Sequence, residues 1–154
     1  IICIAPGSSN TPEKRWPVEN WINLVKLLIK ALPEFKFILI GTSNDSSICH
    51  QVEKPFNAKV IENIAGKTDL IELCDILVRT QILICNDSGA MHIANALGVR
   101  IIAIFGATNP DITGPSFKSK TVLIKRNEQQ SDEKIQKQIA NSIRSVIDYQ
   151  EVNP

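Results

Sequence analysis

The sequence has little that would tie it to a membrane or to nucleic acid. Its longest apolar runs, such as FKFILIG, are far shorter than the roughly 20 residues that a membrane-spanning helix needs. Its 17 Lys and Arg balance 16 Asp and Glu, so the net charge of +1 offers no basic surface for a nucleic-acid duplex or an anionic membrane. No signal peptide pattern opens it. We therefore expect a soluble protein that captures any anion through local groups.

Signatures of several common enzyme classes are missing as well. Neither GxxxxGK[ST] nor GxGxxG follows the first apolar run, which argues against a P-loop NTPase and a dinucleotide-dependent dehydrogenase. The GxSxG motif of serine hydrolases does not occur. No two aspartates have Asp-x-Asp spacing, so a nucleotide held through a bridging Mg²⁺ is not indicated. Phosphate charge would have to be met by backbone amides and by Lys or Arg.

Cysteine usage points to a reducing compartment. The four cysteines form no CxxC pair and lie near no histidine at metal-ligand spacing, so neither a zinc site nor a redox dithiol is indicated. Three of them lie within or beside apolar runs, where a reduced cysteine behaves as a small buried hydrophobe. This pattern favours the cytosol.

The apolar residues follow an α/β pattern. Five or six short runs rich in Ile and Val alternate with amphipathic segments; the candidates are IICIA, KFILIG, KVIENI, QILICN, RIIAIFG and TVLIK. Runs without polar alternation predict strands that are buried on both faces of a parallel sheet. The amphipathic segments predict helices at residues 17–32, 45–52, 69–79, 88–97 and 132–148. A chain of 154 residues with 44% hydrophobic residues fits one α/β domain.

The two ends of the sequence bear on domain organisation. The first predicted strand begins at residue 1 without an initiator Met, so we expect this chain to be a segment of a longer protein. The last helix carries an apolar stripe made of Ile135, Ile139, Ile143, Val146 and Ile147. This stripe fits packing either on the domain's own sheet or against another domain.

Two polar, glycine-bearing loops follow the first and fourth predicted strands: APGSSNTPEKRWP and CNDSGAMH. In the commonest doubly wound arrangement, strand order reverses between these two strands, and ligands bind beyond the strands' carboxyl ends. The sequence therefore predicts that the two loops face each other across a ligand-binding crevice.

The stretch NDSGAMH begins a helix directly after the fourth strand. Either Asp87 or Ser88 can cap this helix, while Gly89 lets a ligand approach the backbone closely. The free amides of a first helical turn bind phosphate readily. A plain helix cap is an equally good interpretation of the motif alone. By default His92 is a polar residue satisfied by a neighbour, because no second histidine lies close enough in sequence to share a metal.

The loop after the first strand combines small residues with a cationic pair. Its small residues suit close approach of a ligand and are Gly7, Ser8 and Ser9. Lys14 offers a point charge for a phosphate, and Arg15 offers a planar fork for bidentate contact. Taken alone, the pair fits a solvated basic patch better, with Trp16 as a hydrophobic anchor at the helix entry.

Together these residues resemble glycosyltransferase family 9, the bacterial ADP-heptose:lipopolysaccharide heptosyltransferases. Three blocks carry the resemblance in order between Ala5 and Pro115: PGSSNTPEKRWPVENWINLV, GKTDLIEL and NDSGAMHIANALGVRIIAIFGATNPDITGP. The resemblance implies a Rossmann-like three-layer α/β/α domain with a parallel sheet, the C-terminal half of a glycosyltransferase-B fold. Residues 1–154 would form the single donor-binding domain, without the N-terminal acceptor domain.

The resemblance also implies roles for individual residues. Lys14 would contact phosphate or sugar of the donor, and Asp87 would bind hydroxyls of the donor sugar. Lys67 and Thr68 would lie against the adenine through their backbone groups. Asp45 would lie against the ribose hydroxyls, although a helix cap is an equal interpretation of Asp45. The full set expected at the donor nucleotide is Ser8, Ser9, Asp45, Lys67, Thr68, Ser88, Gly89, Ala90, Met91 and His92. The turns that contain Thr108 and Thr113 would shape the pocket wall.

The implied activity is inverting, metal-independent transfer of heptose from ADP-heptose to the lipopolysaccharide inner core. The protein would need no cofactor and would bind no nucleic acid. It would work at the cytoplasmic face of the bacterial inner membrane, and would reach its lipopolysaccharide acceptor and the membrane only through the full-length protein. The general base would come from the absent half, so this segment alone would be inactive. The alternatives are a nucleotide-sugar 2-epimerase-like domain and a non-catalytic nucleotide-binding module.

Overall fold

The predicted alternation of strands and helices is confirmed. A computed structural model describes residues 1–8, 11–117, 121–127 and 130–152, with side chains through residue 145 in the last range. The strands are β1 (Ile2–Ala5), β2 (Phe37–Leu39), β3 (Ile61–Asn63), β4 (Ile82–Asn86), β5 (Arg100–Phe105) and β6 (Thr121–Lys125). The helices are α1 (Val18–Ala31), α2 (Ser46–Glu53), α3 (Leu70–Val78), α4 (Gly89–Ala96), α5 (Pro110–Thr113) and α6 (Asp132–Val152).

All six strands are parallel and form one sheet in the order β3-β2-β1-β4-β5-β6. In the middle of the sheet, Ile4 of β1 pairs with Leu39 on one side and Ile84 on the other. The chain thus winds outward from β1 in one direction and from β4 in the other. This order is that of a Rossmann-like fold, and it places the reversal point between β1 and β4, as the sequence predicts.

The sheet is covered on both faces. Alternate strand residues point to opposite sides, so Ile2 and Ile4 belong to one hydrophobic core while Cys3 and Ala5 belong to the other. The first core is closed by α1, α2 and α6, and the second by α3 and α4. The predicted three-layer α/β/α architecture is therefore confirmed.

Helix α6 packs on the domain's own sheet. The side chains of Ile135, Ile139 and Ile143 are buried in the same core as the apolar stripe of α1. Val146 and Ile147 belong to the part of α6 whose side chains are not described. The helix continues past the predicted end at residue 148, to Val152. No helix in the described ranges has both the length and the apolarity of a membrane span.

The cysteines behave as small apolar residues. Cys3, Cys49 and Cys85 are buried, Cys74 is half-buried, and all four are free thiols. Burial raises the pKa of Cys3 to about 11 and that of Cys49 to about 12. These thiols remain protonated at neutral pH and contribute packing rather than charge.

Candidate functional site

A cavity of about 600 Å³ opens at the carboxyl edge of the sheet, where β1 and β4 meet. Its volume falls in the range of roughly 300–1,000 Å³ that is usual for small-molecule sites. The wall comes from the segments that follow β1, β2 and β4, together with the start of α3. The two loops that the sequence predicts to face each other therefore do so.

Asn86, the last residue of β4, ties these two loops together. It is fully buried, and its Nδ2 donates to the carbonyl oxygens of Pro6, at 2.7 Å, and Gly7, at 3.4 Å. Its Oδ1 accepts a hydrogen bond from the backbone amide of Trp16 at 3.1 Å. Asn86 thus connects the beginning of the loop after β1 to Trp16, two residues beyond Lys14. The sequence reasoning missed this residue, although a polar side chain at the end of an apolar strand was the available signal.

Trp16 is the hydrophobic anchor that the sequence predicts. Its indole is fully buried and lies edge-on to Trp21, with ring centroids 5.3 Å apart. Its Nε1 donates to Asp132 at the start of α6 at 2.7 Å. A 3₁₀ turn, Pro12–Lys14, precedes the anchor and places Lys14 at the cavity wall.

Lys14 and Asp87 form an ion pair at the centre of the site. The Lys14 Nζ lies 2.8 Å from Asp87 Oδ2, and the Asp87 side chain is only 4% exposed. The same oxygen accepts hydrogen bonds from the hydroxyls of Thr108, at 2.7 Å, and Thr113, at 2.8 Å. Ser8 donates its hydroxyl to the Asp87 backbone carbonyl at 3.4 Å. The two threonines thus contact Asp87 directly, and neither is among the residues that line the cavity.

These contacts keep Asp87 ionised. Burial on its own raises the pKa of Asp87, but the hydrogen bonds from Lys14, Thr108 and Thr113, together with the Lys14 charge, outweigh it and leave the pKa below its usual value. At neutral pH the site therefore holds a paired carboxylate and ammonium at the cavity wall.

No side chain among the described residues caps the first turn of α4. Ser88 stands at the cap position without making a cap hydrogen bond, and the Asp87 carboxylate is turned toward Lys14 and the threonines. The Ser88 hydroxyl oxygen is buried without a hydrogen-bond partner in the described part of the chain. A Cβ built on Gly89 would meet no atom within 4 Å. The plain-cap interpretation is therefore wrong, and the first turn faces open space beside the cavity.

The Asp45 carboxylate takes part in a capping box. Its Oδ2 accepts hydrogen bonds from the amide and hydroxyl of Thr42 at 3.0 and 2.8 Å, which closes a capping box around the 3₁₀ turn before α2. Its Oδ1 lies 3.5 Å from an Arg15 nitrogen. Asp45 also lines the cavity. A Cβ on Gly7 would lie 2.2 Å from Asp45 Oδ1, so only glycine leaves room for this carboxylate.

Two of the predicted site residues, Lys67 and Met91, are not among the residues that line the cavity. Lys67 is exposed and donates its ammonium to the Asn63 carbonyl at 2.7 Å, whereas its neighbour Thr68 lines the cavity. The Met91 side chain is fully buried in the core beneath α4, and its amide donates to the Ser88 carbonyl. Ser9 lies outside the described residues. The remaining predicted residues line the cavity and are Ser8, Lys14, Asp45, Thr68, Asp87, Ser88, Gly89, Ala90 and His92.

The cavity is chemically divided. Apolar side chains, Ile40, Leu70, Leu73 and Ile93, form one part of the wall, while the Lys14 ammonium and the first turn of α4 form another. Such a wall can take an aromatic base beside a negatively charged group. Within the described ranges, no three His, Cys, Asp or Glu side chains are grouped closely enough to hold a metal ion.

The fold and cavity define a Rossmann-like α/β domain with a cavity at the switch point. The sequence model of glycosyltransferase family 9 (heptosyltransferase) matches residues 1–143, and the chain belongs to this family.

Curated relatives agree with this assignment. Lipooligosaccharide heptosyltransferase 2 of Haemophilus influenzae is 32% identical over 126 residues, which cover 80% of this chain and 36% of the relative. Lipopolysaccharide heptosyltransferase 2 of Escherichia coli K12 is 30% identical over 79% of this chain and 36% of its own length. Lipopolysaccharide heptosyltransferase 1 of Campylobacter coli is 38% identical over 77% of this chain and 33% of its own length. The chain thus spans about a third of the length of these relatives.

Solved structures share the fold. E. coli ADP-heptose lipopolysaccharide heptosyltransferase II superposes with a TM-score of 0.84 at 24% identity, over 97% of this chain and 47% of that one. E. coli heptosyltransferase WaaC with ADP superposes with a TM-score of 0.77 at 19% identity, over 91% of this chain and 43% of that one. These matches confirm the Rossmann-like α/β fold.

Proposed function

We propose that this chain is the donor-binding, C-terminal half of a glycosyltransferase-B enzyme that transfers heptose from ADP-heptose to the lipopolysaccharide inner core. The observation that carries the proposal is the cavity in which the Lys14–Asp87 pair lies beside the uncapped start of α4. Membership of a heptosyltransferase family supports the reaction class. A structural relative holds ADP and another solved form holds ADP-2-deoxy-2-fluoro heptose, which supports the donor class.

Each part of the donor has a suitable wall. The diphosphate would accept hydrogen bonds from the first-turn amides at Gly89 and Ala90 and from the Ser88 hydroxyl, which has no other partner in the described chain. The base would pack on the apolar wall near Thr68, and Asp45 would accept ribose hydroxyls. Asp87 would then face the donor sugar.

The reaction follows from where charge develops. Breaking the anomeric C–O bond leaves additional negative charge on the departing ADP. Lys14 and the oriented amides of α4 would stabilise this charge, in the role that a metal ion plays in other transferases. A general base from the rest of the full-length protein would deprotonate the acceptor hydroxyl on the opposite face of the sugar, which inverts the anomeric centre. We place this reaction at the cytoplasmic face of the inner membrane.

Calorimetric titration of this chain with ADP, UDP and ADP-heptose, with and without EDTA, tests the proposal. The variants are Lys14→Ala and Asp87→Ala, and the matched control is Lys26→Ala, which removes an exposed lysine from α1. We expect ADP-selective binding that EDTA does not change and that the control leaves intact. Lys14→Ala should weaken the binding of both ADP and ADP-heptose at least about tenfold, whereas Asp87→Ala should weaken the binding of ADP-heptose at least about tenfold. ADP-heptose should bind more tightly than ADP, because only it reaches Asp87.

Three results would contradict parts of the proposal. A preference for UDP would favour the 2-epimerase-like alternative. Loss of binding in EDTA would show that the donor needs a metal. Donor binding by a full-length protein that transfers no heptose would favour a non-catalytic nucleotide-binding module.

A further inference from the structure

The segment that follows β5 reaches back to the end of β4. Because β5 lies beside β4 in the sheet, the chain that leaves β5 passes next to Asp87. Thr108 precedes α5 and Thr113 ends it, and both hydroxyls donate to the same carboxylate oxygen, Oδ2. Two neutral donors from one short segment therefore converge on a single atom of the site.

This segment is capped within itself at its start and is tied to α4 beyond its end. At its start, the Asn109 side chain accepts the amide of Asp111 at 3.1 Å and caps α5. Beyond its end, the Asn95 side chain of α4 both donates to the Phe117 carbonyl, at 2.7 Å, and accepts the Phe117 amide, at 2.9 Å. Between them, Gly114 packs so closely that a Cβ would lie 2.1 Å from the Pro110 carbonyl oxygen. The segment that carries the two threonines is thus tied to α4 through Asn95.

The two oxygens of Asp87 are used unequally. Oδ2 accepts hydrogen bonds from Lys14, Thr108 and Thr113, whereas Oδ1 makes no hydrogen bond with any described residue. Asp87 lines the cavity, so Oδ1 is the oxygen left for a ligand hydroxyl. If Lys14 turns toward a bound diphosphate, the buried carboxylate loses its only charged partner in the described chain. The threonine hydroxyls would then remain to hold it, and a buried carboxylate without such donors is costly.

We propose that Thr108 and Thr113 are positioning residues of the donor-sugar site. They hold Asp87 through Oδ2, so that Oδ1 stays available to a hydroxyl of the donor sugar while Lys14 engages the diphosphate. This inference rests on the proposed function. It adds the segment after β5 to the site and assigns it to sugar recognition rather than to nucleotide binding.

Matched substitutions separate the hydroxyls from the packing. Thr108→Val and Thr113→Val keep the side-chain shape and remove the hydroxyl, whereas Thr108→Ser and Thr113→Ser keep the hydroxyl and remove a methyl group. Each double variant of the 154-residue chain is titrated with ADP and with ADP-heptose by calorimetry, and thermal melting checks that each is folded. We expect the double Val variant to bind ADP-heptose at least about tenfold more weakly, with ADP changed less than about threefold. The double Ser variant should recover the wild-type affinity to within about threefold.

The outcomes distinguish the two proposals. Wild-type chain that binds neither ADP nor ADP-heptose overturns the proposed function and this inference with it. If the wild-type chain binds both ligands, two results overturn this inference alone. One is a double Val variant whose affinity for ADP-heptose is unchanged. The other is a double Ser variant that binds ADP-heptose as weakly as the double Val variant. An equal loss for ADP and ADP-heptose also overturns it, because it shows a structural role. Should the double Val variant not fold, single Val and Ser variants at each position are compared, and equal affinities overturn the inference.

Discussion

Replacing Lys14 with Met should destabilise the fold in a pH-dependent manner. The substitution removes the cation that contacts Asp87 and keeps most of the side-chain volume. Asp87 stays buried and retains the hydrogen bonds from Thr108 and Thr113. What is lost is the charge partner of a carboxylate that cannot easily reach water.

The size of the effect follows from partial burial. Removing one partner of a fully buried ion pair costs about 3–5 kcal/mol, while an exposed pair is worth about 0–1 kcal/mol. Lys14 is 20% exposed and Asp87 4% exposed, and two hydroxyls still hold the carboxylate, so the pair lies between these limits. We expect Lys14→Met to lower the free energy of unfolding by about 2 kcal/mol at pH 7.

The pH dependence has a definite sign. The pKa of Asp87 is lowered in the folded protein, so its contribution to stability is present above the usual Asp pKa of about 4 and is lost as the pH falls through its lowered folded value. Once Asp87 is protonated, it carries no negative charge for the Lys14 side chain to stabilise. The penalty of the substitution should therefore be full at pH 7 and shrink as the pH drops below about 4.

Urea unfolding at pH 7 and at pH 3 measures this difference. Lys137→Met is the matched control, because Lys137 pairs with Glu133 at 2.7 Å but both side chains are largely exposed. We expect the control to change stability little at either pH. The reasoning is refuted if Lys14→Met costs no more than Lys137→Met at pH 7, or if its cost is the same at pH 3.

Three further predictions concern residues around the site. Gly89→Ala should leave the free energy of unfolding unchanged or raise it by up to about 1 kcal/mol, because alanine favours a helix and its Cβ meets no atom. The same substitution should weaken ADP binding in calorimetry, and unweakened binding would contradict the phosphate role of this turn. Asn86→Ala should cost about 2–4 kcal/mol in urea unfolding, because buried backbone groups lose their partners; a cost no larger than that of exposed Asn141→Ala would contradict this. Ellman's reagent at pH 8 should label Cys74 first, since the other thiols are buried; rapid labelling of several thiols would refute it.

Much of the fold could be predicted because the four inner strands, β1, β2, β4 and β5, are buried on both faces. That burial leaves uninterrupted Ile and Val runs in the sequence, and the helices between them require parallel pairing. The reversal between β1 and β4 follows from the commonest strand order, and it brings Lys14 and Asp87 to the same edge. Composition and topology were enough to predict that the loops after β1 and β4 meet at a cavity.

The contacts inside the site could not be predicted in the same way. Sequence alone left Asp87 and Ser88 as equal candidates for the cap, because both residue types cap helices. The choice depends on Lys14, Thr108 and Thr113, which lie far from Asp87 in sequence and give its carboxylate a stronger set of partners than the helix start does. Side-chain direction in such a cluster is a tertiary property that has no local signal.

The exposure of single residues could not be predicted from the sequence either. Lys67 and Met91 belong to stretches that reach the cavity, but one points to solvent and the other into the core. Neighbouring residues at a helix start point in different directions, so a motif that reaches a site does not bring every member into it.

The central claim is that the cavity between the β1 and β4 loops binds a nucleoside diphosphate. Titrating ¹⁵N-labelled chain with ADP and following backbone amide shifts tests it most directly. The account predicts the largest shifts at Gly7, Ser8 and residues 87–92, with smaller ones at residues 41–45 and 68–73. Shifts concentrated at the opposite edge of the sheet, in the groove lined by Val78 and Arg100, would contradict it.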